Sequence, residues 1–164
     1  MDRPCDELFS RICDACGGRC CYGAHPPLTP QRIRIIEDQR VPADPIECED
    51  YSRLRVREDG FCILMDGKRC RVHAVKPETC AAGPFTFDIR EGMLEIYLKK
   101  EPICPMVRYL KQDPEAYQRQ LLLAVENISR LVRLLPPEQM AAILSIDEPE
   151  TEKVACLPLH GGCT

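Results

Sequence analysis

The chain has 164 residues, a formal net charge of −4 at pH 7 and a sequence pI of about 5.5. This length fits a single domain, and the acidic balance gives no basic field for phosphates, so nucleic acid is not expected as a partner. Neither a leader of basic and then apolar residues nor an apolar run long enough to cross a bilayer is recognisable, so we predict a cytoplasmic protein without membrane association.

The N-terminal third is predicted to contain two short helices. Residues 4–11 place apolar side chains at helical spacing ahead of Cys13, which predicts one or two helical turns. Further along, Thr29 and Pro30 supply an N-cap and a first-turn proline, and the apolar residues that follow predict a helix over about residues 30–40.

The middle of the chain is predicted to consist of a loop and two hairpins. Two prolines and several acids in residues 41–50 indicate a surface loop in which Cys48 is incidental. An Asp-Gly turn after the apolar run 61–65 predicts a tight hairpin that brings Cys62 close to Cys70. Residues 85–98, interrupted by Arg-Glu-Gly, predict a second hairpin, and these few strands are the only β signal that we recognise.

The C-terminal third has a different, helical character. Asp113-Pro114 begins a long segment with apolar residues at helical period, which ends at Pro136-Pro137. A shorter helix should then run to Ile146. Residues 1–146 are therefore predicted to form one cysteine-cluster domain, and residues 147–164, with Cys156 and Cys163, a flexible tail.

Cysteine is the most informative residue type in this chain, with twelve copies. In a secreted protein this density indicates disulfides, whereas in a reducing cytosol it indicates metal or redox chemistry. Four thiols fall within nine residues, in the order Cys13, Cys16, Cys20 and Cys21, with two glycines between the second and third. Zinc, copper(I) and iron–sulfur clusters all take such soft ligands, and the spacing alone does not choose among them.

Four more thiols lie in or beside predicted turns, at Cys62, Cys70, Cys80 and Cys104. Adjacent cysteines point in different directions, so Cys20 and Cys21 suit two centres or one multi-iron cluster better than one tetrahedral zinc ion. Together the eight cysteines suffice for two four-ligand sites.

Several motifs together resemble one known family. They are Cys13-x-x-Cys16-x-x-x-Cys20-Cys21, Gly60-Phe61-Cys62-Ile63-Leu64, Cys70-Arg-Val-His73, Lys76-Pro77-Glu-Thr-Cys80 with Pro84-Phe85, and Cys104-Pro105. Over about residues 13–105 the chain resembles the zinc- or iron-chelating cysteine-cluster (YkgJ-like) family, although the first loop has one residue more than is common in that family. The resemblance implies a metal site and carries over the eight cysteines as candidate metal ligands, and it implies no particular reaction.

The other soft side chains are assigned smaller parts. His73 stands at a plausible zinc-ligand spacing from Cys70 but is predicted to lie beside the site rather than in it. Cys156, His160 and Cys163 form a Cys-x3-His-x2-Cys pattern, which fits a third soft-ligand site, a resolving thiol pair or no function. Cys5 has no partner in sequence and is expected to be inert.

Three hypotheses about function follow from the cysteines and the resemblance. The first is an electron-transfer or redox-associated protein that holds an iron–sulfur cluster of the [4Fe-4S] type, and an unidentified protein, a redox protein among the candidates, is its expected partner. The second is a structural zinc-binding module for protein interaction. The third, by analogy with a flagellin lysine methylase that contains a related module, is a methyltransferase-associated component. The expected architecture is α+β and mainly α: a small metal-centred domain with short β-hairpins and a long C-terminal helix.

Overall fold

The computed structural model describes residues 4–148 and 150–159, with side chains from residue 7 onward. Within this part of the chain the fold is α+β. The helices are α1 (Pro4–Cys16), α2 (Pro30–Glu37), α3 (Glu78–Ala82), α4 (Met106–Gln112), α5 (Pro114–Leu134) and α6 (Pro137–Leu144). The strands are β1 (Ile46–Cys48), β2 (Ser52–Leu54), β3 (Met65–Asp66), β4 (Arg69–Cys70), β5 (Phe85–Arg90), β6 (Met93–Lys99) and β7 (Thr151–Pro158). Among these elements, no helix has the length and apolar character to cross a membrane.

The strands form small antiparallel sheets. The pairs β1–β2 and β3–β4 are separate two-stranded ribbons, and β5, β6 and β7 form a sheet in which β6 is central. The two hairpins predicted from the sequence are therefore confirmed, although the first is short. The ribbon β1–β2 lies where a loop was predicted, and its residue Cys48 is exposed.

The prediction of a flexible tail is wrong for residues 151–158, which form strand β7. Strand β7 pairs with the whole of β6, from Thr151 opposite Lys99 to Pro158 opposite Met93. The sequence of β7, TEKVACLP, shows no regular alternation of polar and apolar residues. The strand lies at the edge of the sheet and its residues are unevenly buried, so it has no single apolar face. Cys156 is thus an exposed residue of a strand.

The predicted helices are confirmed, although several begin or end at other residues than predicted. Thr29 caps α2 by accepting a hydrogen bond at Oγ1 from the backbone N–H of Arg32, and Asp113 caps α5 through the N–H groups of Glu115 and Ala116. Helix α1 runs through both Cys13 and Cys16, beyond the one or two turns predicted ahead of Cys13.

Two separate hydrophobic clusters make up the core. The C-terminal cluster joins the large sheet to α4 and α5, and its most buried residues include Ile96, Leu110, Ile128 and Leu131. The N-terminal cluster consists of Leu28, Ile36, Leu54, Cys62, Leu64 and Val72. Because the cysteine motifs occur in segments that contact both clusters, the two clusters position the candidate site.

Candidate metal centre

The first cysteine motif folds as the end of a helix followed by a tight turn. Cys13 and Cys16 lie three residues apart on α1, so they share one face of the helix. The chain then reverses through two glycines with positive φ, and a 3₁₀ turn over Arg19–Cys21 presents the double cysteine. The φ of 70° at Gly18 is a conformation that favours glycine, and a Cβ atom there would also displace the flexible end of Met65, whose Cε would lie 2.5 Å away.

Backbone pairing fixes the turn against the second motif. The N–H of Cys62 donates to the carbonyl oxygen of Cys21 with an N–O distance of 2.8 Å, and a β-bridge joins Tyr22 to Phe61. Cys70 follows in the short hairpin, directly opposite Met65. The prediction that Cys62 and Cys70 lie near each other is confirmed, because the backbone N–H of Met65, the residue opposite Cys70, donates to the carbonyl oxygen of Cys62.

Most of the candidate thiols interact electrostatically with Cys20. They come from each cysteine motif between residues 13 and 104: Cys13, Cys21, Cys62, Cys70, Cys80 and Cys104. Cys16 joins the group through its interactions with Cys13 and Cys104. All eight cysteines singled out in the sequence therefore fall in one connected region of the structure.

The two adjacent cysteines are electrostatically unequal. A hydrogen bond from the thiol of Cys21, aided by the positive charges of Lys99 and Lys76, lowers the pKa of Cys20 to about 6. The same hydrogen bond, with burial, raises the pKa of Cys21. The hydrogen bond therefore favours the thiolate on Cys20 and the protonated thiol on Cys21.

Three of the thiols also accept hydrogen bonds from the backbone. Burial raises the pKa values of Cys62, Cys70 and Cys104, and in each case the backbone N–H two residues further on donates to the sulfur and opposes that rise. The donors belong to Leu64, Val72 and Met106. Such N–H···S contacts stabilise the charged form that binds metal and aim the sulfur lone pairs.

Burial governs the two remaining thiols with large shifts. It raises the pKa of Cys13 to about 11 and that of Cys80 to about 12. Both residues still have solvent-exposed surface. The thiolate is therefore disfavoured by the protein atoms packed around each sulfur, although neither residue is fully enclosed.

Two lysines that sequence reasoning did not assign to the site lie beside these sulfurs. Lys76 interacts with Cys13, Cys20, Cys70 and Cys80. Lys99, at the end of β6, interacts with Cys20 and Cys104. For Lys76, the one available signal in the sequence was its position four residues before Cys80. Lys99 had no such signal, because strand pairing between distant segments brings it to the site.

The cysteines offer suitable donor atoms, but they are not arranged as a complete binding site for one metal ion. Across residues 4–148 and 150–159, no three cysteine, histidine, aspartate or glutamate side chains stand close enough together to hold one metal ion as they are. The donor chemistry nevertheless fits a soft metal or a cluster, because the group consists of thiols that are desolvated and contacted by N–H donors and cations.

The remaining sequence candidates are exposed residues or lie outside the described residues. His73 is an exposed residue of a 3₁₀ turn, His73–Val75. Cys48 accepts a hydrogen bond at its sulfur from Ser52 Oγ at 3.8 Å and lies on the exposed ribbon. The side chain of Cys5, and all of His160 and Cys163, fall outside the described residues, so the tail motif with Cys156 stays a prediction.

Comparison with known proteins agrees with the cysteine geometry. Residues 12–105 match the CxxCxxCC family, whose description is "Putative zinc- or iron-chelating domain". No curated protein and no solved structure was found to match the chain. The matched region contains all eight converging cysteines and makes up more than half of the sequence, and the chain belongs to this metal-chelating family.

Proposed function

We propose that this protein holds an iron–sulfur cluster of the [4Fe-4S] type and serves in electron transfer or a related redox process in the cytoplasm. Such a cluster takes four thiolate ligands, and the candidates for them are the eight converging thiols: Cys13, Cys16, Cys20, Cys21, Cys62, Cys70, Cys80 and Cys104. A redox-active protein is the proposed partner, and nucleic acid is not.

One observation carries the proposal: backbone pairing holds the first cysteine motif against the second, within electrostatic range of the thiols of Cys70, Cys80 and Cys104. The convergence includes two adjacent residues, Cys20 and Cys21, which are difficult to accommodate on one tetrahedral ion. Clustered iron and sulfide extend over a larger volume than a single ion and offer several ligand positions, so they suit this arrangement better.

The surroundings of the sulfurs also favour a redox centre. Backbone N–H groups contact Cys62, Cys70 and Cys104, and hydrogen bonds to ligand sulfurs are a principal determinant of cluster potential. Lys76 and Lys99 add positive charge that offsets the negative charge of several thiolates. A bound cluster supplies one-electron transfer, while the protein provides the thiolates, excludes water around Cys62 and sets the local field.

The proposal is tested by measuring iron, zinc and acid-labile sulfide per chain in protein purified without oxygen. We expect iron with matching sulfide and a visible absorption band that dithionite bleaches. A Cys80→Ala variant should lose iron and absorption, whereas Cys48→Ala, which removes a thiol from the exposed ribbon, should retain both. A colourless protein without sulfide would refute the cluster.

A structural zinc module is the second candidate. It is favoured by the short hairpin that brings Cys70 near Cys62, with an N–H donor to each sulfur, since paired thiols at a tight turn are common at structural zinc sites. Zinc in integral ratio without sulfide, together with unfolding by a chelator, would establish it. The methyltransferase-associated role rests on the resemblance to the methylase alone, and binding of S-adenosylmethionine would be its first test.

A further inference from the structure

The candidate metal centre is open to solvent. Cys13, Cys20 and Cys80 are exposed residues, whereas Cys62 is buried. The exposed cysteines are therefore the part of the centre that a partner protein can approach most closely. Any partner that exchanges electrons with the centre must contact the surface around them.

Two large apolar side chains are exposed directly beside candidate ligands. Tyr22, which follows Cys21, is 63% exposed, and Ile103, which precedes Cys104, is 40% exposed. Exposed aliphatic residues are common on protein surfaces, but tyrosine is enriched among the residues that contribute most of the binding energy at interfaces. Tyr22 is therefore a candidate anchor for a partner protein.

The ring of Tyr22 is held in position although it is exposed. Its backbone forms a β-bridge with Phe61, and the two rings meet edge to face with their centroids 5.2 Å apart. A Cβ atom at Gly60 would lie 2.7 Å from Cε2 of Tyr22, so the ring lies directly against the glycine backbone. A side chain that is already ordered loses little entropy when a partner packs on it.

Three cations around the thiols have no acidic partner in the described part of the chain. Arg19, next to Cys20 in the sequence, is exposed, and Lys76 and Lys99 both interact with the sulfur of Cys20. Among residues 4–148 and 150–159, no carboxylate forms an ion pair with any of the three. The whole chain has a net charge of −4, so this positive charge is a local feature.

Several carboxylates beside the cysteine motifs are matched by other basic residues. The ion pairs are Asp14 with Arg69, Asp59 with Arg57, Asp66 with Arg71 and Glu78 with Arg32, and Glu101 interacts with Lys111. Because these carboxylates are already paired, they do not offset the three cations near Cys20. A positive surface of this kind favours an acidic partner and accelerates its association at low ionic strength.

We propose that Arg19, Tyr22, Lys76, Lys99 and Ile103 form a docking face for an acidic electron-transfer protein, with Tyr22 as its anchor. This inference rests on the proposed function, because one electron passes from the reduced partner to the oxidised cluster, with no bond formed or broken. It goes further because it locates the interface and specifies the charge of the partner.

Isothermal titration calorimetry tests the docking face, with the anaerobically purified full chain and a plant-type ferredoxin, a small acidic iron–sulfur protein, as the probe. We expect binding in about 20 mM salt that weakens by on the order of tenfold in about 200 mM salt. The same ferredoxin with its surface carboxylates converted to neutral amides should not bind. Absence of ferredoxin binding at low salt, or equal binding of the amidated form, would overturn the proposal.

Matched substitutions test the individual residues. Arg19→Glu and Lys99→Glu reverse a charge on the docking face, and Arg133→Glu makes the same change at an exposed position of α5. Tyr22→Ala removes the anchor, and Leu122→Ala truncates a side chain of α5 that is 58% exposed. Each substitution on the docking face should weaken ferredoxin binding by on the order of tenfold, while the two on α5 leave it unchanged. Iron content and far-UV circular dichroism verify that each variant keeps its centre and its fold.

The outcomes separate this inference from the proposed function. Iron with sulfide, in a protein whose ferredoxin binding is unaffected by Arg19→Glu, Lys99→Glu and Tyr22→Ala, would support the cluster and overturn the docking face. Zinc without sulfide, with ferredoxin binding that these variants weaken, would refute the cluster and support the docking face for an acidic protein.

Discussion

The backbone N–H of Cys62 donates to the carbonyl oxygen of Cys21 across an N–O distance of 2.8 Å. The two residues belong to different motifs, separated in sequence by α2 and the ribbon β1–β2. Protein backbone therefore sets the spacing between the two motifs, and a metal has only to draw together side chains whose main chains are already in place.

The pKa of Cys20 should depend on its neighbour. The thiol of Cys21 donates to Cys20 and is the largest cause of a pKa of about 6, so Cys21→Ala should raise the pKa of Cys20 toward the ordinary thiol value of 9.0. In metal-free protein at pH 7, alkylation of Cys20 by iodoacetamide should then slow by on the order of tenfold. Peptide mass spectrometry across a pH series measures the midpoint.

Cys21→Ser is the matched control, because it keeps a hydroxyl donor at the same position. Its midpoint should lie between those of the wild type and Cys21→Ala. An unchanged midpoint in Cys21→Ala would show that the lysines, and not the hydrogen bond, hold the thiolate.

Metal affinity should rise with pH. Burial raises the pKa of Cys13 to about 11 and that of Cys80 to about 12, so both thiols are protonated at neutral pH and must release a proton when they bind metal. Protons compete with metal below these pKa values, which makes binding weaker as the pH falls. Each displaced proton contributes on the order of a tenfold gain in affinity per pH unit.

Competition between the protein and a chelator for zinc, from pH 6 to pH 8, measures this dependence. Cys80→Ala should show a shallower slope than the wild type, and Cys48→Ala should match the wild type. Equal affinity at pH 6 and pH 8 would contradict the predicted proton release.

The sequence predicted those parts of the fold that depend on local signals. Asp113 and Pro114 begin α5 as expected, and Glu91-Gly92 turns the hairpin of β5 and β6 with positive φ at both residues. Strand β7 was missed because its charged residues and uneven burial leave no clear period, and only its pairing with β6 defines it.

The site was predictable in its residue types but not in its arrangement. Clustering in sequence identified the first four cysteines, and the other four were singled out by their place in or beside predicted turns, together with the family resemblance. The central place of Cys20, and the approach of Lys99 from β6, depend on packing between segments distant in sequence. No periodicity or spacing records such contacts, so they emerge only in the folded chain.

Lys76 should raise the reduction potential of the proposed cluster. Its ammonium group interacts with Cys13, Cys20, Cys70 and Cys80, and a nearby cation stabilises the more negative, reduced state. Lys76→Gln should therefore lower the potential, by on the order of tens of millivolts. Spectroelectrochemical titration of the visible absorption measures it.

Lys100→Gln provides the control, since it makes the same change of charge at a residue next to Lys99 that faces Glu152. Its potential should remain close to that of the wild type. If Lys76→Gln and Lys100→Gln shift the potential equally, only the net charge of the protein matters and the placement of Lys76 does not.

The ion pair between Arg32 and Glu78 should be important for stability around Cys80, which lies on the same helix as Glu78. Arg32 Nη2 lies 3.0 Å from Glu78 Oε1, their side chains are 13% and 2% exposed, and Arg32 also donates to the carbonyl oxygen of Val75. Glu78 Oε2 has no hydrogen-bond partner among the described residues, so the carboxylate depends on this arginine. Arg32→Met leaves a buried charge unpaired and should cost about 3–5 kcal/mol in the free energy of unfolding.

Urea denaturation of the metal-free protein measures the loss, with Arg130→Met as the control. Arg130 pairs with Glu126 on an exposed face of α5, where such a pair contributes about 0–1 kcal/mol. The double variant Arg32→Met/Glu78→Leu should recover part of the stability, because it removes the stranded carboxylate together with its partner. If Arg32→Met costs no more than Arg130→Met, then the packing of α3 against α5, where Ala82 joins the C-terminal cluster, holds Cys80 in place without this ion pair.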